Sequence, residues 1–467
     1  MEIVIIGAGP VGLVTAIGLS QLGGIEKIII LERCSEEYIK ETYPTSTSFC
    51  YNLTTHVFNK LQNENILTFD RLGRRFSHGG GNSLYIFRND NQNPKKNNFL
   101  KRFFVGTYWF QRRDLMNVLI ETAESNSKIQ IVWGVKIVDI SPTPSDNICI
   151  TTIYNESESI FNSKIIIACD GANSFVRSVL HKLTNQQRFK TITGKQISTG
   201  LLFKSLLLNL PEDLIEHGAL GIINDKNNKS FAAIYEQTAA SKRLCGFVRV
   251  SEDDPLFQAD LDEKSLRNIL KENTPHFPWE QVLSSEDAQS FCNAGSGIRF
   301  PKLCYSTDAV WKNENENQFI CLAGDAMHSF PPDTGQGVNA SFLDSLRLIE
   351  LLRKYPNNLA KAMREYENET VREAESICKI SPLFSPYQYP QLKKDFGFYK
   401  WVLTNGLLFI GNKLLPSAVD KPLIFQRNED KKFFSMWYSY KKSVGNLQKL
   451  ACFTVLVLAA GTIVYFT

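Results

Sequence analysis

The chain has 467 residues, 43% of them hydrophobic, and a formal net charge of +4. That length suits two or three domains, and a charge so mild on so long a chain excludes a general nucleic-acid surface. Ten scattered cysteines with no CxxC pair and no zinc-type His spacing read as reduced core residues, so neither a disulfide framework nor a metal centre is expected.

Glu2 to Ile6 reads as a buried strand running straight into Gly7-Ala8-Gly9-Pro10-Val11-Gly12, followed by a helix from about Leu13 to Leu22. The glycines interrupt the apolar run at once, which separates it from a secretory leader. A second strand, Lys27 to Leu31, ends at Glu32 and Arg33. A lone GxGxxG is weak. Here a strand precedes it, a helix follows it, and an acid lies 20 positions past Gly12, the context of a dinucleotide-binding turn. Gly7 allows the tight turn, Gly9 lets a pyrophosphate approach the backbone, and Gly12 lets helix and strand pack. Glu32 is placed to accept from an adenosine ribose. The pattern leaves FAD and NAD both open.

Ser48 to Leu53 reads as a short strand and Thr54 to Leu61 as a helix, with a polar Asn/Lys-rich surface loop at Asn89 to Asn98. A strand at Tyr108 to Gln111 leads into a helix to about Ala123. Arg112 or Arg113 at its start is either a phosphate ligand or a surface cation. The run Ser163 to Ala168 is another buried strand, ending in the acidic turn Asp170-Gly171. Between 190 and 295 the pattern changes to antiparallel alternation at Gly200 to Leu208, Ser230 to Tyr235 and Cys245 to Val250, with a helix near Glu263 to Glu272.

The chain then returns to its most informative stretch. Phe319 to Ala323 reads as a buried strand, followed by Gly324-Asp325-Ala326-Met327-His328, the stiff pair Pro331-Pro332, and Gly335-Gln336-Gly337-Val338-Asn339. A helix from Ser341 to Arg353 follows. Strand, acidic turn, stiff loop and Gly-rich helix start suit an anionic or electron-rich ligand resting on a helix N-terminus, with Asp325 accepting from sugar hydroxyls. Residues 356 to 440 read as helices with a basic excess, of which 396 to 415 is amphipathic or embedded. From Leu450 to Phe466 the run is apolar or small, with Lys441, Lys442 and Lys449 before it. It is expected to be a short transmembrane tail with its lysines on the cytosolic side, at the mitochondrial outer membrane or the endoplasmic reticulum.

With these three turns in one order and Arg112 between the first two, the chain resembles the single-component flavoprotein hydroxylases, the aromatic-hydroxylase family that uses FAD and NAD(P)H. The resemblance covers about residues 1 to 355 and is carried most specifically by the GD stretch with GQGVNA. It implies an α/β fold: a Rossmann-type FAD-binding domain in three pieces (1–75, 105–190, 296–355), interleaved with a mainly antiparallel substrate sheet (76–104, 191–295). Helices to 445 and the tail follow.

The resemblance also implies roles. Gly7, Gly9, Pro10, Val11, Gly12, Glu32 and Arg33 would hold the ADP part, and Arg112 the pyrophosphate. Asp170 and Gly171 would serve FAD and the nicotinamide, and Gly324 and Asp325 the ribityl chain. Gly335, Gly337, Val338 and Asn339 would lie beside the isoalloxazine, with Pro331 shaping the wall over the flavin edge. His328 is read as structural. The chemistry implied is NAD(P)H reduction of flavin, O2 addition to give a C4a-hydroperoxide, and oxygen transfer to an electron-rich aromatic molecule.

Within the family the chain is similar to kynurenine 3-monooxygenases in its GQG-x-NA form, its extended C-terminal helices and its tail. Arg74, in Leu72-Gly73-Arg74-Arg75, falls where their substrate-carboxylate arginine would be and completes the candidate catalytic set with Pro331 and Asn339. The Pro-Tyr-Gly turn that supplies their substrate tyrosine is not visible, and Tyr85 and Tyr108 sit in other contexts. Two further readings share the fold: a membrane flavoprotein acting on an isoprenoid, and a non-enzymatic Rab-escort-type binding protein. A flavin halogenase is set aside because its WxWxIP signature is missing.

Overall fold

The computed structural model describes residues 1–42, 50–72, 77–79, 84–87, 95–96, 107–143, 147–154, 156–196, 198, 200–211, 213–214, 220–224, 231–236, 242–249, 254–332, 335–384, 395–426 and 429–466. Arg74, the turn at 80–81 and most of the 89–98 loop therefore lie outside the described residues, as do Asp333 and Thr334.

The apolar runs form the centre of the molecule. Phe319–Leu322, Ile165–Ala168, Glu2–Ile6, Lys27–Leu31 and Ile129–Val132 lie side by side as parallel strands, with Val310–Lys312 added antiparallel at one edge. The interior strands are buried almost end to end, as expected of a parallel sheet covered on both faces. The register pairs Ile6 with Ala168 and Leu31, and Ala168 with Leu322. All these strands therefore end along one line. Their connections leave in opposite directions from Glu2–Ile6, which makes the crevice above it the switch point where such sheets bind ligands.

A second, seven-stranded sheet runs Ile298–Arg299, Leu202–Asn209, Lys242–Arg249, Phe231–Glu236, Leu220–Asn224, Leu84–Phe87, Lys95–Lys96. It is antiparallel except where Leu84–Phe87 joins Leu220–Asn224, so residues near 84–96 share a sheet with strands more than a hundred positions later. Leu202, Leu206 and Leu208 on one face pack with Phe247, Trp279 and Phe291 into a core separate from that of the first sheet. The expected helix near 263–272 spans Glu263–Asn273.

Two helices begin earlier than their apolar periodicity indicates. The first runs Pro10–Ser20, with proline in its first turn, where a missing N–H costs nothing. The GD helix runs Gly337–Lys354, four residues ahead of the expected start, and Ala340 N donates to Gln336 O at 2.8 Å to close its first turn. Its small and polar first turn borders the open side of the site, so it carries no apolar stripe to read. These two helices touch through Thr15 Oγ1, which donates to Ser345 Oγ at 2.8 Å.

All ten cysteines are free and six are buried, in keeping with core roles. The C-terminal helix spans Phe433–Phe466 and contains the expected tail. Among the described residues no helix is long and apolar enough to cross a membrane. The tail side chains from 450 onward, Cys452 excepted, lie outside the described residues.

Candidate cofactor site

Each of the three motif turns leaves the C-terminal end of one of three adjacent parallel strands. Backbone bonds continue the ladder past the strand ends: Gly7 N to Leu31 O at 2.8 Å, Cys169 N to Ile6 O at 2.8 Å, and Ala323 N to Ala168 O at 2.9 Å. Residues more than three hundred positions apart in sequence thus share one ledge.

The first turn explains its own glycines. Gly7 has φ of +101°, and a Cβ on it would meet Cys169 O at 2.5 Å; one on Gly12 would meet Gly7 O at 1.9 Å. Gly7 is required by the close approach of the neighbouring strand end, and Gly12 by packing within the turn. A Cβ on Gly9 would meet nothing within 4 Å, so its missing side chain leaves open space in front of the helix N-terminus. An anion is stabilised there by unpaired N–H groups and the helix dipole. Glu32 is buried, and its two carboxylate oxygens accept from Ala8 N and Cys34 N, both at 2.8 Å. This fixes the carboxylate at the strand end while each oxygen retains a lone pair. Arg33 is exposed beside it. A groove of about 690 Å³ lies nearby, lined by Ser35, Lys40, Gln130, Trp133 and Tyr154 among others.

In the second turn Asp170 Oδ2 accepts from Val176 N at 3.1 Å, while Oδ1 is buried with no hydrogen-bond partner. Burial pushes this carboxyl up, against the pull of Ser174 and the Val176 N–H. A buried, unpartnered oxygen at a ligand-binding ledge fits a hydroxyl or N–H donor supplied by the ligand. Gly171 follows with φ of +82°.

The third turn packs directly on the first. Gly324 has φ of +59°, and a Cβ on it would approach Val11 Cγ2 to 2.8 Å. Asp325 is half-buried; burial pushes its carboxyl up, with His328, Ser341 and Arg112 acting to lower it. Arg112, which opens the helix Arg112–Glu124, is thus within electrostatic reach of Asp325, so the first, second and third motifs and the arginine converge.

Sequence reading did not anticipate what holds this ledge together. Arg177 donates through one terminal nitrogen to Ala326 O at 2.7 Å and through the other to Ala172 O at 2.8 Å, joining the second turn to the third. Asp344 receives His328 Nε2 at 2.6 Å, Gly324 N at 3.2 Å and, on its other oxygen, an Arg347 nitrogen at 3.2 Å. His328 stacks on Phe330 with ring centroids 4.7 Å apart. These place His328 in a buried brace, as its structural reading expects. An Arg two residues into a helix after a DG turn is a weak signal, and Asp344 is hidden within the apolar period of its helix.

Asn339 is the clearest refinement. Its Oδ1 accepts from Thr54 N at 2.9 Å and from the Thr54 hydroxyl at 3.2 Å, and its Nδ2 donates to Asn52 O at 2.9 Å and Gly335 O at 3.1 Å. Both amide donors are used, so its side chain braces the helix start against the strand Cys50–Thr54. Any group it offers a ligand is backbone. Pro331 is buried, while Gly335, Gly337 and Val338 are half-exposed. Tyr108 is 8% exposed and packed on Phe58 at 4.5 Å, within an aromatic core.

Comparison with known proteins bears directly on this ledge. The family model of the FAD binding domain matches residues 306–379, the segment that carries the third turn and its helix. The chain is 26% identical over 339 residues to the kynurenine 3-monooxygenase of Caenorhabditis elegans, covering 66% of this chain and 65% of the relative. It is 22% identical over 353 residues to an FAD-dependent monooxygenase of Penicillium shearii, covering 72% and 66%. Over about two thirds of its length the chain is similar to FAD-dependent monooxygenases of the aromatic-hydroxylase family.

These similarities support FAD as the cofactor, and the ledge fits it: open space at Gly9 over a helix N-terminus, an unpartnered Asp170 oxygen, and Asp325 within electrostatic reach of Arg112. The chain spans about two thirds of the length of these curated relatives. The fold is shared with p-nitrophenol 4-monooxygenase of Pseudomonas putida, at a TM-score of 0.60 and 16% identity over 95% of this chain and 99% of that one.

Proposed function

We propose that this chain hydroxylates an electron-rich aromatic small molecule, with NAD(P)H as reductant and O2 as co-substrate, and that its substrate is of the kynurenine type. The observation that carries the reading is the convergence of the three turns and Arg112 on one sheet edge, in a chain similar to kynurenine 3-monooxygenases along two thirds of its length. Bound FAD supplies the redox and oxygen-transfer chemistry. The chain's own residues do the rest. The helix N-terminus after Gly9 and the guanidinium of Arg112 meet the pyrophosphate charge. Glu32 and Asp325 accept sugar hydroxyls. The buried Pro331 and the first turn of Gly337–Lys354 exclude water from one side of the reacting edge.

Arg74 pairs with the substrate carboxylate in this reading. Arg74→Met is expected to raise KM for acidic aromatic substrates with little change in kcat; unchanged KM for all of them removes Arg74 from the site. The C-terminal run from 450 is read as a membrane span, with the catalytic part on the cytosolic side. The test of function is NAD(P)H oxidation by the purified protein with aromatic amino-ketones, phenols and isoprenoids in turn. Stimulation by an aromatic compound with formation of its hydroxylated product supports the proposal. Stimulation by isoprenoids alone transfers the chain to the epoxidase or reductase reading.

A further inference from the structure

The helix Phe396–Leu414 carries a surface that the proposed chemistry leaves unused. Phe396, Tyr399, Leu403, Leu407, Ile410 and Leu414 recur at three- and four-residue spacing along one side of it, and each is 45–84% exposed. Its other side is pinned to the body. Leu408 and Gly411 are buried, and a Cβ on Gly411 would meet Val419 at 3.1 Å and Leu447 at 3.3 Å. Trp401 Nε1 donates to Leu383 O at 3.0 Å from the same side. A helix of this length is about 28 Å long, so the apolar stripe runs outward for its whole extent. Contiguous apolar surface of that size on a folded protein marks a contact site.

Charge identifies what the stripe meets. At 100° per residue, the exposed Lys400 and Lys413 fall on its two opposite edges, and Lys413 Nζ lies 4.7 Å from the Phe409 ring centroid. No carboxylate occurs between Asp395 and Asp420. Residues 396 to 449 hold nine Lys and Arg against three Asp and Glu, a net +6 in a chain whose total is +4, so the remainder of the protein is net acidic. A second copy docking through the same face would set this positive charge against itself. Lys400, Asn405, Asn412 and Lys413 interrupt the helix too often for it to cross a bilayer, and it is held lengthwise against the body.

We infer that Phe396–Leu414 lies in the plane of an anionic lipid surface, its stripe among the acyl-chain boundary and its lysines at the headgroups. This contact is separate from the proposed span after residue 450 and does not require it. The adjoining helix Phe433–Phe466, whose Leu447 borders Gly411, adds the exposed Tyr438 and the exposed Lys441 and Lys442.

The test uses the full chain with phosphatidylcholine vesicles that carry an acyl-chain diazirine lipid, with and without phosphatidylserine, followed by photolysis and peptide mapping. Adducts are expected on the six stripe residues, roughly tenfold more abundant with phosphatidylserine than without. A full-length variant with Leu403→Glu, Leu407→Glu and Ile410→Glu is expected to lose those adducts while keeping its flavin spectrum, which reports the fold. Adducts confined to 450–466, or none anywhere, overturn the inference; only the second outcome also removes the span. Equal labelling with and without phosphatidylserine, or lipid-independent cross-links between copies through 396–414, overturns it as well.

Discussion

At the scale of single residues, Asp325 separates cofactor binding from folding. Burial pushes its carboxyl up in the free protein against the pull of His328, Ser341 and Arg112, so losing it costs the fold little, whereas a ribityl hydroxyl loses its charged acceptor. Asp325→Ala is expected to weaken FAD binding by about 1.5–3 kcal/mol, or roughly ten- to 150-fold, with little change in unfolding midpoint. Unchanged affinity in a flavin titration gives Asp325 another role. The glycines, Glu32 and Asp325 were legible because backbone approach and acid placement leave sequence spacings. The place of Asn339 beside the third turn was legible but its bracing was not, since its partners at Asn52 and Thr54 are nearly three hundred positions away. Arg177 escaped notice for the same reason: its carbonyl acceptors have no residue type.

Among the elements, the strand Leu202–Asn209 carries an oddity within an apolar face. Lys204 is fully buried among leucines, its ammonium 4.3 Å from the Phe291 ring and donating to Gly295 O at 2.7 Å. Burial lowers its pKa from 10.5 to about 8. Between those values the unfolded chain holds a proton that the folded chain has released, so stability contributed by this site rises as pH climbs through that window. Wild type is expected to gain on Lys204→Met between about pH 7 and about pH 10 in urea unfolding. A constant difference across that range rules out the buried titration. Alternation made this strand readable, and Lys204 stands on its buried face. The helices Glu263–Asn273 and Ser285–Asn293, folded over that face, enclose it. The early start of the GD helix was hidden, because its first turn serves the ligand side.

For the whole molecule, sequence order and spatial order differ, and most of what was illegible lies there. Buried strands were identifiable one by one. Their adjacency, 319–322 beside 165–168 beside 2–6, came from packing, as did the joining of 84–87 to 220–224. The C-terminal region also acts at this scale. Truncation after Lys449 keeps Leu447 against Gly411 and removes the proposed span. The shortened protein is expected to leave a carbonate-washed membrane pellet with its flavin bound; retention in the pellet gives the anchoring role to earlier residues.

Titration of FAD into the Gly9→Val apoprotein shows whether the three turns form one FAD site. The open space at Gly9 is where the pyrophosphate would lie, and a valine there fills it without touching protein atoms within 4 Å at its Cβ. Flavin binding abolished, with the unfolding midpoint of the apoprotein preserved, is the predicted result. FAD bound as tightly as by the wild-type protein would mean that the pyrophosphate does not lie at Gly9.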